Sequence, residues 1–337
     1  MINFQYILMC AVLFLSIGCV FIYKKIAVYY NILANPDYRT LHESPTPRGG
    51  GLIFSLVFVF STLIFWGVYE LSNQIFNIFV VGGFIATLFG FIDDIKNMRA
   101  KTKLSIQLFL SAWTIYWLDL GELFLLGWTP IFMIIPFILF FMVWIMNAYN
   151  FMDGIDGMAA SGAIFISLTL AIVLFLTNSS VEVINIFILL AIAVSSFIFF
   201  NWPPATIFMG DSGSIFLGYC FSAFIIYSLI MGEISFLTWL VVFGYYLGDT
   251  TTTTIIRTVL GKKWNDAHRS HAYQNLARIL DNHSIVTIGV IIYHILWLLP
   301  LAVWTVLKPD LAIIAVILAF LPSIILAIKF GPLFSME

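Results

Sequence analysis

The segment "FILFFMVWIMNAYNFMDGIDGMAASGAIFISLTLAIVLFL", residues 137–176, places two carboxylates between two long apolar runs. Neither the run before Asn147 nor the run after Ser161 contains a charged residue, whereas Asp153 and Asp156 lie three residues apart between them. About 20 apolar residues are enough for a helix to cross the hydrocarbon core of a bilayer. The segment therefore predicts two transmembrane helices whose connection carries both acids at the membrane boundary.

The composition of the whole chain supports the same class of protein. Hydrophobic residues make up 62% of the 337 residues and charged residues 9%, whereas about a quarter of a soluble domain is charged. Helices satisfy their own backbone hydrogen bonds in lipid, so we predict an all-α, polytopic integral membrane protein. The three cysteines, Cys10, Cys19 and Cys220, lie in apolar runs and indicate neither a disulfide framework nor a zinc site.

Eleven segments are candidates for membrane spans, and they form one transmembrane domain over residues 1–337. They are residues 2–23, 51–69, 75–92, 104–118, 129–146, 158–177, 182–200, 213–230, 235–256, 284–307 and 311–329. The fourth is short, and "LGELFLLGW" at 120–128 is a candidate interfacial segment. The first lacks a basic start and a small-residue cleavage site, so it is expected to be a retained span rather than a signal peptide.

The distribution of Lys and Arg predicts the orientation, because cytosolic loops are enriched in these residues. If all eleven segments cross, 14 of the 15 Lys and Arg residues fall on one side and only Lys308 on the other. We expect the N-terminus outside and the C-terminus in the cytosol.

Every unusual polar cluster then lies on the cytosolic face. Five acids of these clusters lie at the ends of predicted spans, namely Asp93, Asp94, Asp153, Asp156 and Asp211. A single acid at the end of a span is usually a solvated cap, but five at one membrane depth indicate an ion or substrate site.

A magnesium–diphosphate unit suits this mixture of acids, bases and glycines. Mg²⁺ is commonly held by one or two carboxylates together with substrate phosphates, and Lys and Arg neutralise the remaining phosphate charge. Arg48, in "PRGGG" at 47–51, precedes the start of a span, where backbone N–H groups favour anions. No nucleic-acid partner is expected.

Five polar motifs follow one another along the chain: "TPRGGG", "FIDDIKNMRAKTKLSIQL", "NAYNFMDGIDGMA", "FMGDSGSIFLG" and "DAHRSHAYQ". Together they resemble the polyprenyl-phosphate N-acetylhexosamine-1-phosphate transferases, over about residues 40–280. The resemblance implies transfer of a sugar 1-phosphate from a UDP-sugar to undecaprenyl phosphate, with release of UMP. It also implies a Mg²⁺ cofactor, with Mn²⁺ as an alternative, and a location in the bacterial inner membrane. A homodimer is one compatible assembly.

The resemblance also assigns expected roles. The expected catalytic residues are Asp93, Asp94 and Asp156. The expected metal ligands are Asp211, Asp94 and Asp156. The expected substrate-binding residues are Arg48, Lys103, Asn150, Asp153, Arg257, His268 and His271. If a helix begins near Asp153, its carboxylate and that of Asp156 would share one face.

The histidine motif bears on the choice between branches of the family. It reads H-R-S-H at 268–271 and resembles the O-antigen-initiating branch, not the clustered histidines of the peptidoglycan and common-antigen branches. This favours UDP-N-acetylglucosamine or a 6-deoxy derivative such as UDP-N-acetylfucosamine or UDP-N-acetylquinovosamine. Phospho-N-acetylmuramoyl-pentapeptide transfer remains the alternative.

The resemblance leaves two catalytic routes open, direct attack by the lipid phosphate and a two-step route through phosphorylated Asp93. Two other classes of protein also carry intramembrane acids. An ion-coupled transporter would place its acids near the midplane on broken helices, and here only Asp249 is deeper than the rest. An intramembrane aspartyl protease needs a second aspartate at the same depth, and no such aspartate is evident beside "YLGD" at 246–249.

Overall fold

The computed structural model describes residues 2–34, 45–118, 131–262 and 268–334. Arg39, Lys263, Asp266 and the predicted interfacial segment at 120–128 lie outside them. Within these ranges the chain is almost entirely helical, with one two-residue antiparallel pair, β1 (Leu33–Ala34) and β2 (Thr46–Pro47). The helices are α1 (Ile2–Tyr29), α2 (Gly51–Tyr69), α3 (Asn73–Lys96), α4 (Ala100–Trp117), α5 (Ile131–Phe151), α6 (Met158–Leu176), α7 (Val181–Asn201), α8 (Asp211–Ile230), α9 (Phe236–Val242), α10 (Gly244–Val259), α11 (Ala272–Leu280), α12 (His283–Leu307) and α13 (Ala312–Phe330).

The chain is a multi-pass, all-α membrane protein, as its composition predicts. In the described part of the chain, nine helices are long and apolar enough to span a bilayer: α1, α2, α3, α5, α6, α7, α8, α12 and α13. Within the described residues, each of the eleven predicted segments overlaps at least one helix, but eleven crossings are not confirmed.

The two remaining segments depart from an apolar span for different reasons. Helix α4 has the length of a span, but its first turn carries Lys101 and Lys103 and its interior includes Gln107. The segment at 235–256 is divided between α9, with 7 residues, and α10, with 16 residues. The division falls where Gly244 lies against α13. A Cβ atom added to Gly244 would lie only 3.1 Å from the Cβ of Ala319.

Helix α8 forms the centre of the molecule, because 89% of the residues in its apolar 18-residue stretch are buried. It packs against α2, α3 and α5. The crossing with α2 depends on two glycines, because a Cβ on Gly51 would lie 2.2 Å from the Cα of Gly213. This close approach brings the ends of α2, α3 and α5 to the first turn of α8, where Asp211 lies.

No helix begins near Asp153, so the condition for a face shared by Asp153 and Asp156 is not met. Residues 152–157 form a loop, and α6 begins only at Met158. Gly157 has a φ of 73°, a left-handed conformation that glycine adopts without steric cost, and its N–H donates to Asn201 Oδ1 at 3.0 Å. Asp153 and Asp156 therefore point to different neighbours instead of sharing one helix face.

The predicted orientation can be measured by labelling single cysteines in a variant that lacks Cys10, Cys19 and Cys220. Lys101 and Asn178 are both exposed and lie on opposite sides in the predicted topology. We expect a membrane-impermeant maleimide to label the Lys101→Cys variant only in inside-out vesicles and the Asn178→Cys variant only in intact cells. A cysteine at the exposed position 310 serves as the matched control and should be labelled like the one at position 178. Labelling of positions 101 and 178 from the same side would contradict the topology.

Candidate active site

Two aspartates and a lysine form an ionic cluster at the ends of three helices. The Lys103 ammonium, at the start of α4, lies 2.7 Å from Asp211 Oδ2 and also contacts Asp93 Oδ2. Asp93 belongs to the last turn of α3, and its Oδ1 accepts a hydrogen bond from the Met98 N–H at 2.6 Å. Its side chain is almost fully buried, while those of Asp211 and Lys103 are partly exposed. The cluster thus reaches the surface through Asp211 and Lys103.

Asn150 holds the other oxygen of Asp211. Its amide nitrogen lies 2.9 Å from Asp211 Oδ1 and 2.8 Å from Ser214 Oγ. Asn150 is close to the end of α5, so this contact joins the "NAYNFMDGIDG" motif to the "FMGDSGS" motif. Asp211 is therefore oriented from two sides, by a cation and by an amide.

Asp94 faces away from Lys103 and binds the start of α8. Its two oxygens accept hydrogen bonds from the backbone N–H groups of Asp211 and Ser212, at 2.9 and 3.1 Å. The Arg48 guanidinium donates to Asp94 Oδ1 at 2.8 Å. The first N–H groups of a helix have no partner within the helix, so Asp94 supplies one. In this geometry Asp94 orients Asp211 and forms an ion pair with Arg48.

Gly210 permits this arrangement. Its φ is 74°, and a Cβ at this position would lie 2.5 Å from both carboxylate oxygens of Asp94. A side chain here would therefore separate α3 from α8.

Asp153 lies at the edge of the same cluster. It is half-buried in the loop between α5 and α6, with its carboxyl group close to the backbone of Gly210. Burial, followed by the negative charges of Asp211, Asp94 and Asp156, raises the pKa of Asp153 well above its usual value. Its carboxyl group therefore keeps a proton to higher pH than a solvated aspartate does.

Asp156 turns toward a separate cavity. Its Oδ2 accepts from the Ala205 N–H at 2.9 Å and lies 3.3 Å from His283 Nδ1. The cavity has a volume of about 270 Å³. Its lining residues are Asp156, Pro203, Pro204, Asp281, Asn282, His283 and Ser284. Asp156 is thus set apart from the contacts that join Asp93, Lys103 and Asp211.

The histidine motif forms a third group, fastened to α10. Arg257 Nη1 donates to Ser270 Oγ at 3.1 Å, and Ser270 Oγ lies 3.1 Å from His268 Nδ1. Burial lowers the pKa of His268 to about 3, with further contributions from His271, Arg257 and Lys262, so this ring is neutral at pH 7. The Tyr273 hydroxyl donates to the Phe151 carbonyl at 2.6 Å, which connects the motif to the end of α5.

The residues singled out from the sequence thus fall into three neighbouring sets. Asp93, Lys103, Asn150 and Asp211 are in direct contact, with Arg48 and Asp94 joined through the start of α8. Sequence analysis did not identify Asp249 as the partner of His271 or Ser214 as the partner of Asn150. The unusual depth of Asp249 was the available signal for the first of these; no sequence signal indicated the second.

The ionic cluster of Asp93, Lys103 and Asp211, called the acid–lysine cluster below, has oxygen ligands suited to a hard divalent cation. Among the described residues, no group of three or more His, Cys, Asp or Glu side chains is arranged to hold a metal. The pair of carboxylates joined by Lys103 does match the one or two that Mg²⁺ commonly takes from protein when substrate phosphates complete its coordination. Even without Asp153, the three carboxylates of Asp93, Asp94 and Asp211 outnumber the two cations Lys103 and Arg48, so a divalent cation would reduce the negative charge of the ionised site.

A family model and a similar protein both relate this chain to one family of transferases. The sequence model of glycosyl transferase family 4 matches residues 76–229, which include the acid–lysine cluster. The probable undecaprenyl-phosphate N-acetylglucosaminyl 1-phosphate transferase of Bacillus subtilis (strain 168) is 32% identical over 267 residues, covering 76% of this chain and 72% of that protein.

Phospho-N-acetylmuramoyl-pentapeptide-transferases are similar over a shorter stretch. The protein from Wolbachia sp. subsp. Brugia malayi (strain TRS) is 32% identical over 203 residues, covering 55% of this chain and 61% of that protein. The protein from Clostridium beijerinckii (strain ATCC 51743 / NCIMB 8052) is 35% identical over 205 residues, covering 52% of this chain and 58% of that protein. These matches span about three fifths of each relative.

Proposed function

This chain belongs to glycosyl transferase family 4, as a polyprenyl-phosphate N-acetylhexosamine-1-phosphate transferase, and from that premise we propose that it acts on UDP-N-acetylglucosamine or a 6-deoxy UDP-N-acetylhexosamine. The sugar 1-phosphate is transferred to undecaprenyl phosphate and UMP is released, on the cytosolic face of a bacterial inner membrane. The product would initiate O-antigen or another envelope polysaccharide. The observation that carries this proposal is Asp211, held between Lys103 and Asn150 at the end of a span.

The location of the cluster suits one substrate from lipid and one from water. In the proposed reaction an oxygen of the lipid phosphate forms a bond to the β-phosphorus of the donor, and the bond from that phosphorus to the bridging oxygen breaks, so that UMP departs with the electron pair. Both reactants are anions, so positioning and charge neutralisation supply most of the catalysis. Direct attack is favoured because Asp93 is buried and engaged by Lys103 and Met98.

Mg²⁺ is the proposed cofactor, and Asp93 and Asp211 would hold it. When bound, it would offset the negative charge of the diphosphate. The protein's own residues complete the site. Lys103 lies between the two carboxylates and can turn toward a phosphate oxygen, because 34% of its side chain is exposed. Asp94 keeps Asp211 in place through the start of α8.

The remaining residues are assigned to the donor. Asp153 is the proposed hydrogen-bonding group next to the diphosphate, and Asp156 is proposed to bind the donor from the side of the 270 Å³ cavity. Arg257 positions His268 through Ser270, and burial, with a smaller contribution from Arg257, keeps this ring neutral. Such a ring offers a hydrogen bond to the donor without adding charge.

Two alternatives predict different products. The phospho-N-acetylmuramoyl-pentapeptide-transferases among the relatives favour a muramoyl-pentapeptide donor, whereas the H-R-S-H sequence of the loop favours a smaller sugar. An ion-coupled transporter would move substrate across vesicles without releasing UMP.

A panel of radiolabelled donors tests the proposed reaction. Purified protein is incubated with undecaprenyl phosphate, Mg²⁺ and each donor in turn: UDP-N-acetylglucosamine, its 6-deoxy relatives and UDP-N-acetylmuramoyl-pentapeptide. We expect lipid-linked product on thin-layer plates, and UMP in equal amount, from one of the smaller sugars, with EDTA abolishing both and added Mg²⁺ restoring them. Product from the muramoyl donor alone would assign the chain to the alternative branch, and no UMP from any donor would contradict a transferase.

A further inference from the structure

Asp249 is a buried acid that takes no part in the reaction described above. It lies in α10 and is 1% exposed. Its Oδ2 is 2.6 Å from His271 Nδ1, and its Oδ1 accepts a hydrogen bond from the Ala272 N–H at 3.0 Å. His271 immediately precedes the first residue of α11. Both oxygens of Asp249 therefore bind the end of the histidine loop where it enters α11.

This contact determines which ring nitrogen of His271 carries a proton. A ring nitrogen that faces a carboxylate oxygen at hydrogen-bond distance is the donor, and in a neutral imidazole the other nitrogen then has a lone pair. Nε2 of His271 is buried and has no hydrogen-bond partner among the described residues. Buried polar atoms in native proteins are nearly always paired, so this nitrogen lacks a partner that a bound molecule can supply.

The contacts of the His271 ring place it near the loop that carries Asp153. Its ring stacks on His268 with 5.0 Å between centroids and lies 5.7 Å from the ring of Phe151. Phe151 is the last residue of α5, two positions before Asp153. The hydrogen bond from the Tyr273 hydroxyl to the Phe151 carbonyl holds the start of α11 against the end of α5.

We propose that Asp249 is a positioning residue that holds His271 with its proton on Nδ1, so that Nε2 accepts a hydrogen bond from a hydroxyl or amide N–H group of the donor sugar. This inference rests on the proposed function, because it assumes a UDP-sugar beside Asp153. It assigns the histidine loop to recognition of the sugar and leaves the diphosphate to Lys103 and the acids. In serine proteases an aspartate likewise selects the tautomer of a histidine, and replacing it by Asn inverts that choice.

The tautomer can be measured without any substrate. In protein labelled with ¹⁵N in the imidazole rings there are five histidines to resolve, and His271→Gln identifies the signal of interest. We expect Nδ1 protonated and Nε2 bare in the unsubstituted protein, and the reverse in Asp249→Asn, whose amide would donate to Nδ1. A proton on Nε2, or on both nitrogens, in the unsubstituted protein would overturn the proposal.

Kinetics separate positioning from folding. We expect Asp249→Asn to lower kcat/KM for the UDP-sugar by about 10- to 100-fold, the range seen when a group that orients a metal-ligating histidine is replaced, with the KM for undecaprenyl phosphate unchanged. Asp249→Glu should recover part of the loss. Thr250→Val is the matched control, because it removes a buried hydroxyl whose bond is to Tyr246 of the same helix, and it should leave kcat/KM unchanged.

Each result has a distinct meaning. Equal losses in Asp249→Asn and Thr250→Val would show that disturbance of α10, not the tautomer, lowers activity, and would overturn the positioning role. If neither Asp249 variant folds, the tautomer in the unsubstituted protein decides. If the unsubstituted protein releases no UMP from any donor, the proposed function fails, while the NMR result still shows whether Asp249 orders the ring.

Discussion

Replacing Asp211 by Asn is expected to lower kcat for UMP release by at least about 100-fold, the scale seen when one preorganised electrostatic group is removed from an active site. Asn retains the shape of the side chain and an oxygen for Asn150. It removes the negative charge that pairs with Lys103 at 2.7 Å and that would ligate Mg²⁺. The protein should still fold, because part of Asp211 is exposed and the helix start is held mainly through its backbone N–H.

Steady-state UMP release from purified protein in detergent measures this effect, with thermal unfolding recorded on the same preparation. The Mg²⁺ concentration at half-maximal activity should rise in parallel. Asp310→Asn is the control, since Asp310 is an exposed acid in the connection between α12 and α13. Turnover within a few-fold of the unsubstituted protein, in a folded Asp211→Asn variant, would remove Asp211 from the reaction centre.

Replacing Asp94 by Ala should affect both stability and activity. The substitution leaves the Arg48 guanidinium and the N–H groups of Asp211 and Ser212 without their acceptor. Removing one partner of a fully buried ion pair costs about 3–5 kcal/mol. Because 24% of the Arg48 side chain is exposed and water can partly replace the lost contact, we expect about 2–4 kcal/mol here. Activity should fall as well, since the start of α8 carries Asp211.

A graded series distinguishes this account from a general loss of packing. Asp94→Asn keeps one carbonyl oxygen for the helix start but lacks the charge that pairs with Arg48, so its stability should lie between those of the unsubstituted protein and Asp94→Ala. Arg48→Ala should destabilise the unsubstituted protein more than it destabilises Asp94→Ala, because the pair is already broken in the latter. Additive effects of the two substitutions would show that the contact contributes little, and an unchanged unfolding temperature for Asp94→Ala would contradict its role at α8.

The sequence motifs were sufficient to identify the family, and the comparisons confirm it. The reason is local. Each motif combines acids, amides and glycines at the end of an apolar segment, and that combination is unusual in a chain with 9% charged residues. The same segments predicted the positions of the helices, because a span of lipid requires a continuous apolar run whatever its neighbours are.

Local sequence is a weaker guide where a helix is interrupted or where a loop precedes its first residue. The expected shared face for Asp153 and Asp156 is wrong, since the loop at 152–157 is stabilised by a contact from Asn201, 44 residues away from Gly157. The division between α9 and α10 likewise falls where Gly244 closely approaches α13. Neither partner lies within the local pattern.

Local sequence is enough to predict a helical membrane protein, the family and the acids of the site, because apolar runs and short polar motifs depend on neighbouring residues in the chain. The different contacts of those acids depend on how the helices pack. Asp93 and Asp94 are adjacent in sequence, yet successive residues of a helix point in directions about 100° apart, so one meets Lys103 and the other meets Arg48 and the start of α8. Asp249 and His271 are 22 residues apart, and only the packing of α10 against the loop brings their side chains into contact.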